Sequence, residues 1–187
     1  MTALPDDYPI ELERKITLRN GSIVHIRPIL PDDAPRLQEF HGRLSGDTAY
    51  QRFFAIVKRL PPDWARVLAT VDYRRRLALV VETPGSSEPE LIAVGRYDAT
   101  GEPDTVEVAF VVLDSWQNRG LGTILFDEIL RAAAARSYRR FRAYVLSENR
   151  RMLDLITRFT RVESRKAERG VTELTFTFRP ERAAIRA

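Results

Sequence analysis

The chain has 187 residues, 44% apolar and 30% charged, with a formal net charge of +4, no cysteine and two histidines. That length suits one domain or slightly more with a sizeable core. The lack of cysteine removes thiol nucleophiles, disulfides and thiolate metal sites, and His25 and His41 are too few for a histidine-based site, so no metal is expected. No apolar run approaches the roughly 20 residues of a membrane helix. The start, "MTALPDDYPIELERK", has neither the basic beginning nor the apolar centre of a signal peptide, so a cytoplasmic protein without membrane contact is expected.

Along the chain, "KITLRNGSIVHIRPI" carries two short alternating apolar runs around Asn20-Gly21, a strong hairpin signal. "PDDAPRLQEFHGRL" reads as a helix with Asp32 or Asp33 as its cap, "GDTAYQRFF" as a second short helix, and "PPDWARVLATV" as a third that starts on proline. "RLALVVET" and "ELIAVGRYD" read as strands joined by the loop "PGSSEP", and "TVEVAFVVL" as a longer strand. A glycine loop follows, then a helix from about Gly120 to Arg136 whose apolar positions Leu121, Ile124, Leu125, Ile129 and Ala132 keep the helical period. "RRFRAYVL" is a strand, "ENRRMLDLITRFT" a helix, and "RVESRK" with "TELTFTF" a closing strand pair; a disordered tail is expected after Pro180. With no repeat or low-complexity linker, this order predicts one α/β domain with a mixed sheet.

Charge is unevenly spread: residues 1–130 balance at −5 and residues 131–187 at +9. A basic final third suits an anionic partner. It lacks the aromatic spacing of single-strand binders and any helix-turn-helix pattern, so nucleic acid is not the expected partner.

The stretch "VVLDSWQNRGLGTILFDEIL", residues 111–130, places two near-adjacent glycines at the start of a helix. Bare backbone, unpaired N–H groups and the positive end of the helix dipole favour an anion there, with Arg119 and Thr123 as further donors. A phosphate-binding P-loop would need a lysine after its last glycine, and "GLGTIL" has none. A dinucleotide fold would need a third glycine or alanine where Leu125 stands, and an acid about 20 residues on. A plain turn and helix cap remains open.

The segment "QNRGLG" matches Q/R-x-x-G-x-G/A and resembles the pyrophosphate-binding signature of the GNAT superfamily of acyl-CoA-dependent N-acyltransferases. The likeness spans roughly residues 21–178, with "VEVAFVV" before the loop and "VLSENRRML" after the next strand. Within the superfamily the chain looks most like bacterial protein lysine acetyltransferases that modify acyl-CoA synthetases, through "IRPILPDDAPRLQEFHGRLSGDTAYQRFF", "VDYRRRLALVV" and "EVAFVVLDSWQNRGLG". The resemblance implies a bare catalytic domain of α+β type, in which helices flank a mixed, mostly antiparallel sheet with a splayed central strand pair. It also implies acetyl-CoA as cosubstrate and a protein lysine as acceptor, for example on an acyl-CoA synthetase. Gln117, Asn118, Arg119, Gly120, Leu121, Gly122 and Thr123 would hold pyrophosphate; Val111 and Val112 would offer backbone to pantetheine and the thioester; Asn149 would bind pantetheine or merely cap its helix. Two departures stand out. Thr160-Arg161 replaces the group's usual Gly-Phe, and Ile156 stands where many members have a tyrosine acid.

A lysine amine, with a pKa of about 10.4, must lose a proton before it can attack a thioester. Glu107, on the strand before the pantetheine-binding segment, is the expected general base, as the resemblance implies; an exposed strand glutamate is the alternative. Without cysteine, transfer is direct. A small amine as acceptor, or an acyl-CoA sensor without catalysis, are the rival readings.

Overall fold

The structure, a computed structural model, describes residues 4–83 and 89–178; most of the loop "PGSSEP" and the tail beyond Pro180 lie outside the described residues. Asn20-Gly21 turns the chain as its composition predicts. Strands β1 (Arg14–Thr17) and β2 (Ile23–Pro28) pair antiparallel with Thr17 opposite Ile23. Gly21 takes a φ of +81°, and the Asn20 side-chain oxygen accepts the Ser22 N–H at 3.1 Å.

Three helices follow: α1 (Ala34–Gly42), α2 (Gly46–Phe53) and α3 (Pro62–Ala69). Ser45 caps α2, its Oγ accepting the Thr48 N–H at 3.2 Å. At α1 the structure departs from the sequence reading, because Asp33 holds the cap position but its carboxylate does not cap the helix. It is 3% exposed and is held by a buried arginine instead. Arg27 on β2 donates to both Asp33 oxygens at 2.7 and 2.8 Å, and to both Glu82 oxygens at 3.2 and 3.1 Å. Arg36 on α1 reaches the same two carboxylates, each at 2.8 Å. Two acids and two arginines thus fasten the start of α1 to the sheet. A guanidinium buried on this scale is tolerable only because its donors are met.

The remaining strands are β3 (Arg76–Glu82), β4 (Leu91–Ala99), β5 (Thr105–Val112), β6 (Arg140–Leu146), β7 (Thr160–Glu168) and β8 (Val171–Phe178). Helix α4 (Leu121–Ala135) joins β5 to β6, and α5 (Arg150–Phe159) joins β6 to β7. The sheet order is β1-β2-β3-β4-β5-β6-β8-β7. Every neighbouring pair is antiparallel except β5 and β6, which are parallel as a helical crossover requires. That one parallel pair is short. Its register runs from Thr105 opposite Arg140 to Glu107 opposite Arg142, after which the strands part, giving the expected splay.

Helix α4 lies unusually close to the sheet. A Cβ at Gly95 on β4 would meet the Leu125 Cγ at 2.8 Å, so glycine is required for that approach. Phe126 of α4 packs with Phe110 and Phe176, while α1 covers β4 and α2 covers β5 on the opposite face, and α3 packs on α1. The Thr160 hydroxyl donates to the Ile156 carbonyl at 2.6 Å, so α5 ends on a threonine cap where a glycine turn would otherwise be needed.

Candidate active site

The site begins where β5 loses its neighbour. Leu113 donates its N–H to the Ile92 carbonyl, and Thr100 to that of Thr105, which fixes the alternation of the ladder between. Odd-numbered residues of β5 therefore bond to β4, and even-numbered ones face β6. Beyond Glu107 the even positions have no strand to meet. The backbone groups of Phe110 and Val112 turn into the gap, and Gln117 takes the Val112 carbonyl with its side-chain NH2 at 3.1 Å. Val111 has its backbone groups toward β4, so its side chain is what faces the helices α1 and α2. Of the two valines singled out from the sequence, Val112 presents backbone to the cleft and Val111 presents side chain.

The gap opens into a cleft of about 620 Å³. Its walls are Phe110, Val111 and Val112 from β5, Gln117, Arg119, Gly120, Gly122 and Thr123 from the glycine loop, and Asn149 ahead of α5. Gly120 has a φ of +85° and serves as the N-cap of α4. The first N–H bonded within this helix is that of Ile124, to the Gly120 carbonyl at 3.1 Å. The N–H groups of Leu121, Gly122 and Thr123 are left for a ligand or solvent. Arg119 stacks on the Trp116 ring with its guanidinium carbon 4.7 Å from the centroid. Asn118 and Leu121 do not line the cleft: Asn118 is exposed with a φ of +62°, and Leu121 is 1% exposed with its side chain in the core.

Asn149 caps α5, its Oδ1 accepting the Met152 N–H at 3.1 Å, while its amide NH2 donates to Gln51 of α2 at 3.1 Å. Capping and a place in the cleft wall therefore coexist in this side chain. Gln117 likewise ties the loop to two helices, donating to Thr48 at 3.4 Å and accepting from Arg151 at 3.3 Å. Asp114 completes these ties by accepting from the Ser45 N–H, the Ser45 hydroxyl and the Thr48 hydroxyl at 3.0, 2.7 and 2.7 Å. Asp114, Thr48, Gln51 and Arg52 carry no local motif, and the sequence reading missed all four.

Glu107 lies beside a smaller pocket of about 60 Å³ in the split between β5 and β6. That pocket shares Gln51, Arg52, Phe110, Asn149 and Met152 with the larger cleft. The side chain is exposed, and no hydrogen bond or ion pair ties its carboxylate among the described residues. Asp98 stands opposite it on β4 and Arg142 beside it on β6. Its pKa lies above the ordinary carboxyl value, first from crowding by protein atoms and then from the like charge of Asp98; Arg52, Arg142 and Arg96 pull the other way. Asp98 itself is ion-paired, accepting from Arg96 at 2.8 and 3.0 Å and from Arg76 at 3.1 Å. Tyr97 is fully buried and donates to the Arg74 carbonyl at 3.0 Å. Among the described residues no group of histidines and carboxylates is arranged to hold a metal, and no helix is long and apolar enough to cross a membrane.

A helix N-terminus rich in free N–H groups, joined to a gap in the sheet that exposes strand backbone, suits an extended ligand with a phosphate end and amide groups. A family model for the Acetyltransferase (GNAT) family matches residues 48–160, which include these features. The chain belongs to the GNAT acetyltransferase family. Among GNAT relatives, Acetyltransferase PA5475 of Pseudomonas aeruginosa is 30% identical over 139 residues, covering 74% of this chain and 75% of that protein. Acetyltransferase Pat of Mycolicibacterium smegmatis is 34% identical over 146 residues, covering 76% of this chain but 42% of Pat, so the chain spans less than half of that relative. The crystal structure of the GNAT domain of S. lividans PAT aligns with a TM-score of 0.80 and 34% identity, over 91% of this chain and 99% of that one.

Proposed function

We propose that this acetyltransferase moves an acetyl group from acetyl-CoA directly to an amine, foremost a lysine side chain of a protein such as an acyl-CoA synthetase. The observation that carries the reading is the junction of two features: an anion-ready helix start and a gap beside β5 at whose inner end Glu107 stands. Pyrophosphate would lie on the N–H groups of 121–123 beside Arg119, and pantetheine would run along the backbone of Phe110 and Val112 past Asn149. The acceptor amine, neutral when its nitrogen attacks the thioester carbon, gives its surplus proton to Glu107 while a β5 N–H steadies the oxygen. A carboxyl pKa above the ordinary value makes Glu107 a better base for that proton. Kinship with Acetyltransferase Pat and with the GNAT domain of S. lividans PAT supports acetyl transfer, and the lysine acceptor follows the sequence resemblance.

The deciding experiment incubates the full chain with isotopically labelled acetyl-CoA, in parallel with bacterial lysate proteins and with a panel of small amines. Label on protein lysines supports the reading; label on small amines alone moves the acceptor to that class. Acetyl-CoA binding without transfer to either leaves a sensor.

Gly122 gives a test of the cofactor side. A Cβ there would sit 3.7 Å from Phe110 and 3.8 Å from Val112, ordinary contacts that leave the fold intact. Larger atoms would extend into the cleft. Gly122→Val is expected to weaken CoA binding at least tenfold, about 1.4 kcal/mol, by calorimetry. Gly120 is the poorer site for this, since its positive φ adds backbone strain to any substitution. A folded Gly122→Val protein with parent affinity removes the loop from the CoA site.

A further inference from the structure

Expelling CoA from the acetyl group puts a negative charge on sulfur, and the split between β5 and β6 is a poor solvent for it. Phe110, Phe126, Val145, Met152 and Ile156 line it with uncharged side chains, beside the amides of Gln51 and Asn149. Among the described residues three ionisable side chains line it: Glu107, Tyr144 and Arg52. Glu107 is an anion, and Tyr144 is 38% exposed at the rim, with its phenol pKa raised by loss of solvent and by Glu173. Arg52 is the one cation.

Its situation is unusual for an arginine. It comes from the last turn of α2, is half-buried, and makes no hydrogen bond or ion pair among the described residues. Its closest recorded partner is the Phe53 ring, with the guanidinium carbon 5.1 Å from the centroid. It lines the large cleft, the split and a small apolar pocket beneath α1 at once. The charges facing it are Arg96 and Asp98 from β4 and Glu107 from β5; burial and Arg96 push its pKa down to about 10. Asp98 is already engaged by Arg96 and Arg76, so it does not neutralise Arg52. The charged residues of α5 that line the cleft, Arg151, Asp154 and Arg158, belong to its outer part and not to the split.

The geometry points to Arg52 as the residue that holds the CoA thiolate as it leaves, supplying by charge what a hydroxyl acid would supply by proton transfer. The proposal rests on the acetyl-CoA reading of the cleft. The neutral amine forms the C–N bond with its lone pair and gives one proton to Glu107; the C–S bond breaks with its pair on sulfur. Before the step Arg52 faces the Glu107 carboxylate. After it, Glu107 is neutral and Arg52 faces the thiolate, so the guanidinium keeps a counter-charge throughout.

The test uses CoA itself and requires no turnover. The thiol of CoA bound to the full chain is titrated by the ultraviolet absorbance of its thiolate, for the parent, Arg52→Gln and Arg52→Lys. A neighbouring cation lowers a thiol pKa. The expected result is a bound thiol titrating roughly one unit or more below free CoA in the parent, a loss of that shift in Arg52→Gln, and partial retention in Arg52→Lys. Affinity measured at a pH where the thiol is protonated stays within about threefold, and acetyl transfer by Arg52→Gln falls by roughly a hundredfold. A bound thiol that titrates alike in parent and Arg52→Gln overturns the proposal while leaving the CoA site standing. So does a shift abolished by Tyr144→Phe and kept in Arg52→Gln, which would make the phenol the donor. Failure of the parent to bind CoA removes the proposal together with the reading beneath it.

Discussion

Glu107→Gln is expected to lower turnover by about two decades or more near neutral pH while acetyl-CoA affinity stays within a few fold. The amide keeps the shape of the side chain and cannot take a proton. Glu107 lies in the split and not in the wall of the large cleft, so cofactor contacts remain. No hydrogen bond or ion pair to the carboxylate is recorded among the described residues, so the substitution costs little stability. In the parent, activity rises with pH as Glu107 ionises, and this limb is shifted upward from the ordinary carboxyl value by local crowding and by Asp98. In Glu107→Gln that limb disappears, and activity climbs only as the acceptor amine itself loses its proton at higher pH. Rates measured across that range against a peptide lysine check the prediction. Parent turnover in the variant would remove Glu107 from the mechanism.

The largest effect on stability is expected from Arg27→Met. Arg27 is 8% exposed, and its loss takes four of the hydrogen bonds from Asp33 and Glu82, which are 3% and 7% exposed. Breaking a buried ion pair from one side costs about 3–5 kcal/mol, because two buried carboxylates then share the single guanidinium of Arg36. For a chain of this size that lowers Tm by roughly 10 °C. The sign of the pH dependence follows from the two acids. Arg27 holds both below their ordinary carboxyl values, and so does Arg36. The stability they confer is therefore fully present above the unfolded carboxyl pKa of about 4 and is lost as pH falls through their folded values. In Arg27→Met the two acids become easier to protonate, so the gap between parent and variant narrows on acidification. Thermal melts at neutral and acidic pH measure it. A gap that stays constant across that range means the carboxylates are not the groups that Arg27 serves.

What the sequence disclosed was local. Asn20-Gly21, the proline that opens α3, the helical period from Leu121 to Ala132 and the closing strand pair each depend on a few neighbouring residues, and each appears in the structure. The glycine loop was equally legible as a helix start with unbonded N–H groups, since that geometry needs no distant partner. What stayed hidden depends on pairing between remote segments. Asp33 looks like a helix cap until β2 brings Arg27 to it. Gly95 carries no signal, although the approach of α4 to the sheet requires it. Arg52 reads as one more surface arginine on a short helix, because its isolation inside the site is created by strands some 50 residues further along. Val111 and Val112 look interchangeable until the register with β4 turns the backbone of Val112, and not that of Val111, toward the cleft.

The brevity of the β5–β6 pairing has a mechanical meaning. Five strands on one side and three on the other are joined across the sheet by three residue pairs, so the sheet is nearly two plates sharing a short seam. Units joined so narrowly tend to open separately. Hydrogen exchange should then show β6, α5, β7 and β8 losing protection as a group ahead of β3 and β4. A ligand lying along β5 with its far wall on α5 would act as a removable rivet. Its arrival should slow exchange in the three-stranded plate as a whole, far beyond the residues it touches.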